Sequence, residues 1–324
     1  MKALGVIHPN SDRSGEMKME SNNVREIIQQ NIRKKNHFSD KLMPKIFLFM
    51  ALISVVTTFG IVYTLIFDSI KFFSQVPISE VFSTKLSPLS KNPSFGFLPL
   101  LNGTFFTTII AMLVAVPIGM GAAIYLSQFA SEQIRKILKP VLEVLAGIPT
   151  IVYGFFAYSF VTPLLMKLIP SLGAKNVLSP GIVMGIMIIP MVASLSEDAM
   201  NAVPEIMKEG AMGLGSTKLE TTTKVIIPAS ISGIVASVVL AISRAIGETM
   251  IVTIASGSAK NFTFDITQSM QTMTAYIVEF TSGDAGSGTV GYYSLYAVGL
   301  ILFIFTLIIN LIAQYIARKY REEY

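Results

Sequence analysis

The chain has 324 residues, 52% of them hydrophobic and only 14% charged, with a formal net charge of +5 and a mean hydropathy of +0.62. Soluble domains carry about 25% charged residues, so this composition leaves too little polar surface for one. There is no cysteine, and both histidines, His8 and His37, lie near the N-terminus, which excludes disulfides, thiol chemistry and a histidine-based triad or His-Glu-x-x-His zinc site in the apolar region.

Residues 1–44 are polar and charged, without the apolar stretch after Met1 that a secretory signal needs. Val24, Ile27, Ile28 and Ile32 fall on one helical face beside Arg25, Arg33, Lys34 and Lys35. The tail reads either as a short helix on the inner membrane surface or as a basic tail without structure. From residue 45 onward, several apolar runs approach or exceed the roughly 20 residues that cross a hydrocarbon layer of about 30 Å as a helix. Six spans are predicted, at about 45–67, 101–126, 141–168, 180–195, 228–255 and 292–316, the third interrupted by Gly147, Pro149 and Pro163. They are too long for barrel strands and do not alternate, so the fold class is an all-α polytopic membrane protein: a tail, 1–44, and a six-span domain, 45–324.

Basic residues set the expected orientation. The N-terminal segment carries Lys2, Arg13, Lys18, Arg25, Arg33, Lys34, Lys35, Lys41 and Lys45. The same side receives Arg135, Lys136 and Lys139, then Lys208, Lys218 and Lys224, and finally Arg318, Lys319 and Arg321, whereas the other side holds Lys71, Lys85, Lys91, Lys167, Lys175 and Lys260. Both termini are therefore expected in the cytoplasm, with the chain multi-pass in the membrane and in contact with lipid. This asymmetry accounts for the net charge and speaks against a nucleic-acid partner. Two outer segments, about 68–100 and 256–291, either receive an external partner or simply connect spans. Gly283, Gly286, Gly288 and Gly291 suggest a mobile or tightly turning loop in the second.

Three motifs concentrate the chemistry. Gly147-Ile148-Pro149-Thr150-Ile151-Val152-Tyr153-Gly154 loosens the third span, as happens both along transport paths and at close helix contacts, and makes Thr150 and Tyr153 candidate pathway residues. Ser243-Arg244-Ala245-Ile246-Gly247-Glu248-Thr249 puts a cation and a carboxylate inside the fifth span, expected in the outer half of the bilayer. They form either a salt bridge that locks helices or an anion contact in which Glu248 holds the Arg244 guanidinium towards a wet path; its planar fork suits tetrahedral oxyanions. Between the fourth and fifth spans, about 202–228, lies a charged amphipathic stretch with a glycine hinge at Gly215. No Gly-Lys dipeptide occurs, so the chain carries no Walker A loop and cannot be a P-loop ATPase by itself.

Ala202-Val203-Pro204, Glu209-Gly210-Ala211, Gly215, Val225, Ile227 and Pro228 resemble the inner-loop motif of the permease subunits of ATP-binding-cassette importers, with Gly210, Val225 and Ile227 as modest departures. The third- and fifth-span motifs, with Pro117-Ile118-Gly119, are similar to those of phosphate-specific importers over about 101–315. The basic tail and the long first outer segment favour the PstC-type subunit over its PstA-type partner. The resemblance implies the type I importer permease fold, a place in the inner membrane of a bacterial or archaeal cell, and a non-catalytic chain that binds no cofactor of its own. It further implies a second, PstA-type permease, two PstB-type ATPase subunits carrying ATP and Mg, and a PstS-type phosphate-binding protein outside. Glu209, Gly210, Ala211, Gly215 and Pro228 would then couple to the ATPase, and inorganic phosphate would pass inward unchanged. A sulfate or molybdate permease, an ATP-independent transporter or channel, and an intramembrane enzyme are the competing classes; the last lacks a recognisable catalytic pair.

Overall fold

The computed structural model describes residues 37–284, 286 and 288–319. The tail helix expected around Val24 to Ile32 lies outside them. The chain divides into two compact units, Met1–Thr64 and Leu65–Tyr324, and the packing that builds the site lies wholly within the second. Five helices among the described residues are long and apolar enough to cross a membrane, and a sixth span results if one bent pair, Lys218–Ala229 and Ile231–Ile246, counts as one.

The first helix, α1 (His37–Phe73), starts inside the segment assigned to the tail and ends beyond the predicted span. Polar residues end a membrane span but do not by themselves end a helix. The next helix, α2 (Leu98–Ile124), continues through a π-helical turn at Tyr125–Phe129. Between α1 and α2, the outer segment is folded: Leu86–Ser87 pairs antiparallel with Ser94–Phe95, and Phe72, Val81, Phe95 and Phe97 bury together with Met273, Tyr276 and Phe280.

The predicted third span differs most from the structure. Residues 141–147 belong to α3 (Glu132–Gly147), a separate amphipathic helix whose start is capped by Ser131, Oγ accepting from the Ile134 N–H at 3.4 Å. Pro149 disfavours helical geometry at Ile148, which sits at φ −67° and ψ 129°, so the chain breaks there. The span proper is α4 (Thr150–Phe156), a π-helical turn at Ala157–Val161, and α5 (Thr162–Leu168).

The fourth span, α6 (Leu178–Asn201), extends past the predicted 195. Beyond it come α7 (Glu205–Gly213) and α8 (Lys218–Thr221), then α9 (Ile231–Ile246), which is bent 70° from the 218–229 segment at Ser230. Pro228 thus lies in the short helix Ile227–Ala229 before the bend and not at the foot of a straight span. The fifth span is broken again at Gly247–Thr249 and resumes as α10 (Met250–Ala255). It nevertheless runs antiparallel to α6 along its whole length. Ser237 Oγ meets Ser196 Oγ at 2.7 Å, Arg244 Nη2 approaches Met187 Sδ at 4.0 Å, and the Ala255 carbonyl accepts from the Asn176 N–H at 3.3 Å. A short α11 (Met273–Glu279) lies in the second outer segment, and α12 (Val290–Lys319) ends the bundle. In the glycine-rich stretch between them, Gly283 and Gly288 take φ of 112° and 86°, the turning role expected of them.

The most extensive helix pair is α2 with α6, and small residues allow its close approach. A Cβ on Gly185 would lie 2.7 Å from the Ala111 carbonyl oxygen, and one on Gly119 2.8 Å from Val192 Cβ, whereas one on Gly121 meets nothing within 4 Å. Gly185→Ala is therefore expected to cost about 1–3 kcal/mol by overpacking. Gly121→Ala should be neutral within roughly 0.5 kcal/mol or slightly stabilising. Thermal unfolding of the two purified variants in the same detergent checks this, and equal melting temperatures would contradict it.

Candidate translocation cleft

Two helical stripes face each other across a cleft of about 380 Å³. On α3 the lining residues are Lys139, Leu142, Glu143 and Ala146; on α6 they are Met187, Pro190, Met191, Ser194 and Glu197. Both sets repeat at three- and four-residue spacing, the signature of one face of a helix. Arg244 of α9 completes the lining. Met187 and Glu197 are ten positions apart, so the cleft runs roughly 15 Å along α6 from the guanidinium to the end holding Arg135 and Lys139.

That basic end is tied by an ionic knot. Glu197, with its side chain 2% exposed, meets Lys139 Nζ at 3.0 Å and Arg135 Nε at 3.8 Å, and accepts from Asn201 Nδ2 at 3.4 Å. Arg135 is pinned from the other side, its Nη2 donating to the carbonyls of Leu126 at 2.6 Å and Ser127 at 3.3 Å, at the π-helical end of α2. A buried carboxylate left alone would be strongly unfavourable; two cations make it tolerable and hold α2, α3 and α6 in register.

Arg244 is open to the cleft, and among the described residues it has no carboxylate partner; its one polar contact is Met187 Sδ. The i,i+4 pair with Glu248 does not form, because the helix breaks between them. Glu248 is buried at 8% exposure, and its Oε1 accepts from the N–H groups of Met250 at 3.1 Å and Ile251 at 3.4 Å. The carboxylate thus sits on the free donors of the α10 N-terminus, where the helix dipole also favours negative charge. Its backbone carbonyl takes the Thr274 hydroxyl at 2.7 Å.

Thr150 lies at the first turn of α4, outside the cleft lining, and Tyr153 is 6% exposed in the core with Met184 and Ile188, its hydroxyl donating to the Leu145 carbonyl at 2.8 Å. Of the four pathway residues expected from sequence, only Arg244 faces the cleft. Lys139, Glu143 and Glu197 were missed. Their signal was the stripe 139, 142, 143, 146, obscured by assigning three of the four to a span, and the apolar periodicity of α6 that continues to Met200, beyond Glu197.

At the same basic end, Val203 and Ile226 pack with Ala123 and Met200. The intervening loop is two capped helices. After α7, the Gly215 N–H bonds to the Met212 carbonyl and the Ser216 N–H to that of Ala211, a Schellman ending with Gly215 at φ 92°. A capping box then starts α8, with Thr217 Oγ1 accepting from the Glu220 N–H at 3.3 Å and Glu220 accepting from the Thr217 N–H at 3.0 Å. Ile206, Leu214 and Leu219 are exposed on this loop, Leu214 to 91%. Glu209, Gly210 and Ala211 all lie in α7. No group of His, Asp or Glu arranged to hold a metal occurs among the described residues.

Apolar helices of spanning length beside a charged cleft define a multi-pass membrane protein. The chain belongs to the family described as the binding-protein-dependent transport system inner membrane component, whose model matches residues 115–322. It is 34% identical to the phosphate transport system permease protein PstC of Mesorhizobium japonicum, over 83% of this chain and 87% of that protein. Identity to the probable ABC transporter permease protein YqgH of Bacillus subtilis is 32%, over 75% and 78%. The same fold, at 14% identity and a TM-score of 0.60, occurs in a bacterial alginate ABC transporter crystallised with its alginate-bound periplasmic protein, over 89% of this chain and 99% of that one. The all-α importer-permease fold expected from the motifs is thus the fold found.

If Glu248 serves as the cap of α10, Glu248→Ala should lower stability by about 0.5–2 kcal/mol, the usual cost of losing a helix cap. Glu248→Gln keeps an acceptor oxygen and should lose less. Thermal unfolding of both variants measures the difference; an Ala variant as stable as the parent would remove the capping role.

Proposed function

We propose that the chain is the PstC-type permease subunit of an importer that moves inorganic phosphate into the cytoplasm. The observation that carries this reading is Arg244, an exposed guanidinium with no carboxylate partner among the described residues, at the end of the cleft between α3 and α6 that lies away from Lys139. A cation open to a cleft and without a counter-ion suits an anionic ligand, and the planar fork of arginine offers several donors to a tetrahedral oxyanion at once. Relatives named as phosphate transport permeases support phosphate as that anion. Sulfate or molybdate remains the second reading, since the guanidinium alone does not discriminate among tetrahedral anions.

The basic end, with both termini, would face the cytoplasm. There the two capped helices around Gly215 would dock on a separate ATPase subunit of the PstB type, which binds ATP and Mg. Exposed Ile206, Leu214 and Leu219 supply the apolar contact, and the caps make the loop stiff enough to transmit force. Because the chain passes through Ser230 into α9, a shift of the loop would reach Arg244. A PstA-type permease would complete the membrane part, and a PstS-type protein would deliver phosphate at the opposite end, over the cap formed by the two outer segments.

Two outcomes test this in the reconstituted complex. Arg244→Gln is expected to lower phosphate uptake about a hundredfold, the size of two lost charge-assisted hydrogen bonds, while the subunits still copurify. Uptake at the parent rate would exclude the anion contact, and uptake of sulfate in place of phosphate by the parent would move the chain to the second reading. Gly215→Val forces a non-glycine residue into the left-handed region at a cost of roughly 1–2 kcal/mol. It should weaken ATPase copurification or break the proportion between ATP hydrolysed and phosphate moved. Normal coupling in that variant would remove the loop from the coupling path.

A further inference from the structure

Glu143 lines the cleft on α3 one helical turn beyond Lys139, and among the described residues it makes no hydrogen bond or ion pair. A bare carboxylate in the route of an anion repels it, unless the anion brings a hydrogen-bond donor. Hydrogen phosphate carries a P–OH group at neutral pH; sulfate carries none.

We propose that Lys139 and Glu143 form a second oxyanion station at the mouth of the cleft, selective for a tetrahedral anion that keeps a proton. This deepens the phosphate reading and rests on it. Lys139 Nζ contacts the ionised oxygens, and the Glu143 carboxylate accepts the hydrogen bond of the P–OH. No covalent step occurs and no proton changes owner.

The geometry provides for the exchange. Lys139 is 41% exposed on a flexible stem, so its ammonium can turn from Glu197 to the anion. Arg135 cannot follow, because the Leu126 and Ser127 carbonyls hold it. Its Nε is buried without a hydrogen-bond acceptor, 3.8 Å from Glu197, and keeps that buried carboxylate compensated while Lys139 is away. Glu197, which holds Lys139, stands ten positions along α6 from Met187 beside Arg244, a rise of roughly 15 Å, so the anion meets Lys139 and Arg244 in succession. Discrimination follows from the carboxylate: a site that hydrogen-bonds a substrate hydroxyl strongly disfavours an analogue lacking it, since the acceptor is left unpaired, and here charge repulsion adds to the loss.

Acylation of lysines in membranes containing the full complex, read by mass spectrometry, tests this without relying on the selectivity of a delivering protein. Phosphate is expected to protect Lys139 at concentrations where sulfate does not, with Lys224 of the loop, unaffected by either anion, as internal reference. In Glu143→Gln, sulfate should begin to protect, and the advantage of phosphate should shrink about tenfold or more, the worth of one charge-assisted hydrogen bond. A merely structural Glu143 would leave the ratio of the two anions unchanged, and that result overturns the proposal. So does equal protection by both anions in the parent, or protection by neither. If the parent complex imports phosphate and Lys139 is unprotected, only the second station falls; if it imports no phosphate at all, the phosphate reading falls with it.

Discussion

An ion inside hydrocarbon must be wetted or compensated, and the second unit of this chain is arranged around that demand. A charged side chain at the middle of a membrane helix costs on the order of 2.5–3.5 kcal/mol on insertion scales. Each of three ions here meets the demand differently. Glu197 has two cations, one pinned by carbonyls and one partly exposed. Glu248 rests on the free N–H groups of a helix start. Arg244, with no carboxylate partner among the described residues, opens on a cleft. The three solutions divide structural charges from one that is available to a ligand.

Backbone satisfaction is the companion constraint, since an unpaired amide in lipid is costly. The breaks in this bundle occur where a partner stands ready. Pro149 separates α3 from α4, which leaves α3 free to carry its charged face along α6. The break at Gly247–Thr249 exposes the amides that Glu248 then covers. Around these irregular places, the glycine contacts of α2 and α6 supply a closely packed pair against which the bent fifth span is aligned. Movement transmitted through the Ser230 bend would therefore act on α9 against a firm neighbour.

The presence and approximate position of the spans were readable from composition and run length, because the apolar demand of a bilayer is a local property of sequence. The glycine turn at Gly215 was readable as well, since the positive φ it supplies is a property of that residue. Boundaries were less so. Residues 141–147 are apolar enough to resemble the start of a span, yet they belong to a helix whose register is set by Ser131 at one end and Pro149 at the other. Arg244 and Glu248 stand four residues apart, which suggests a pair only if the helix between them is continuous.

By itself, then, the sequence determined an all-α membrane chain, a charged loop with a glycine hinge, and a lone arginine within a span. Hydropathy, dihedral preference and ionisation belong to single residues or short runs. The tertiary structure alone decided which charges are neutralised and which face open space. Lys139 finds Glu197 across 58 positions of chain, and Glu143 lines the same cleft as Arg244, only because α3 folds back along α6. Ionic partners are chosen by distance in space, and no local pattern encodes that distance.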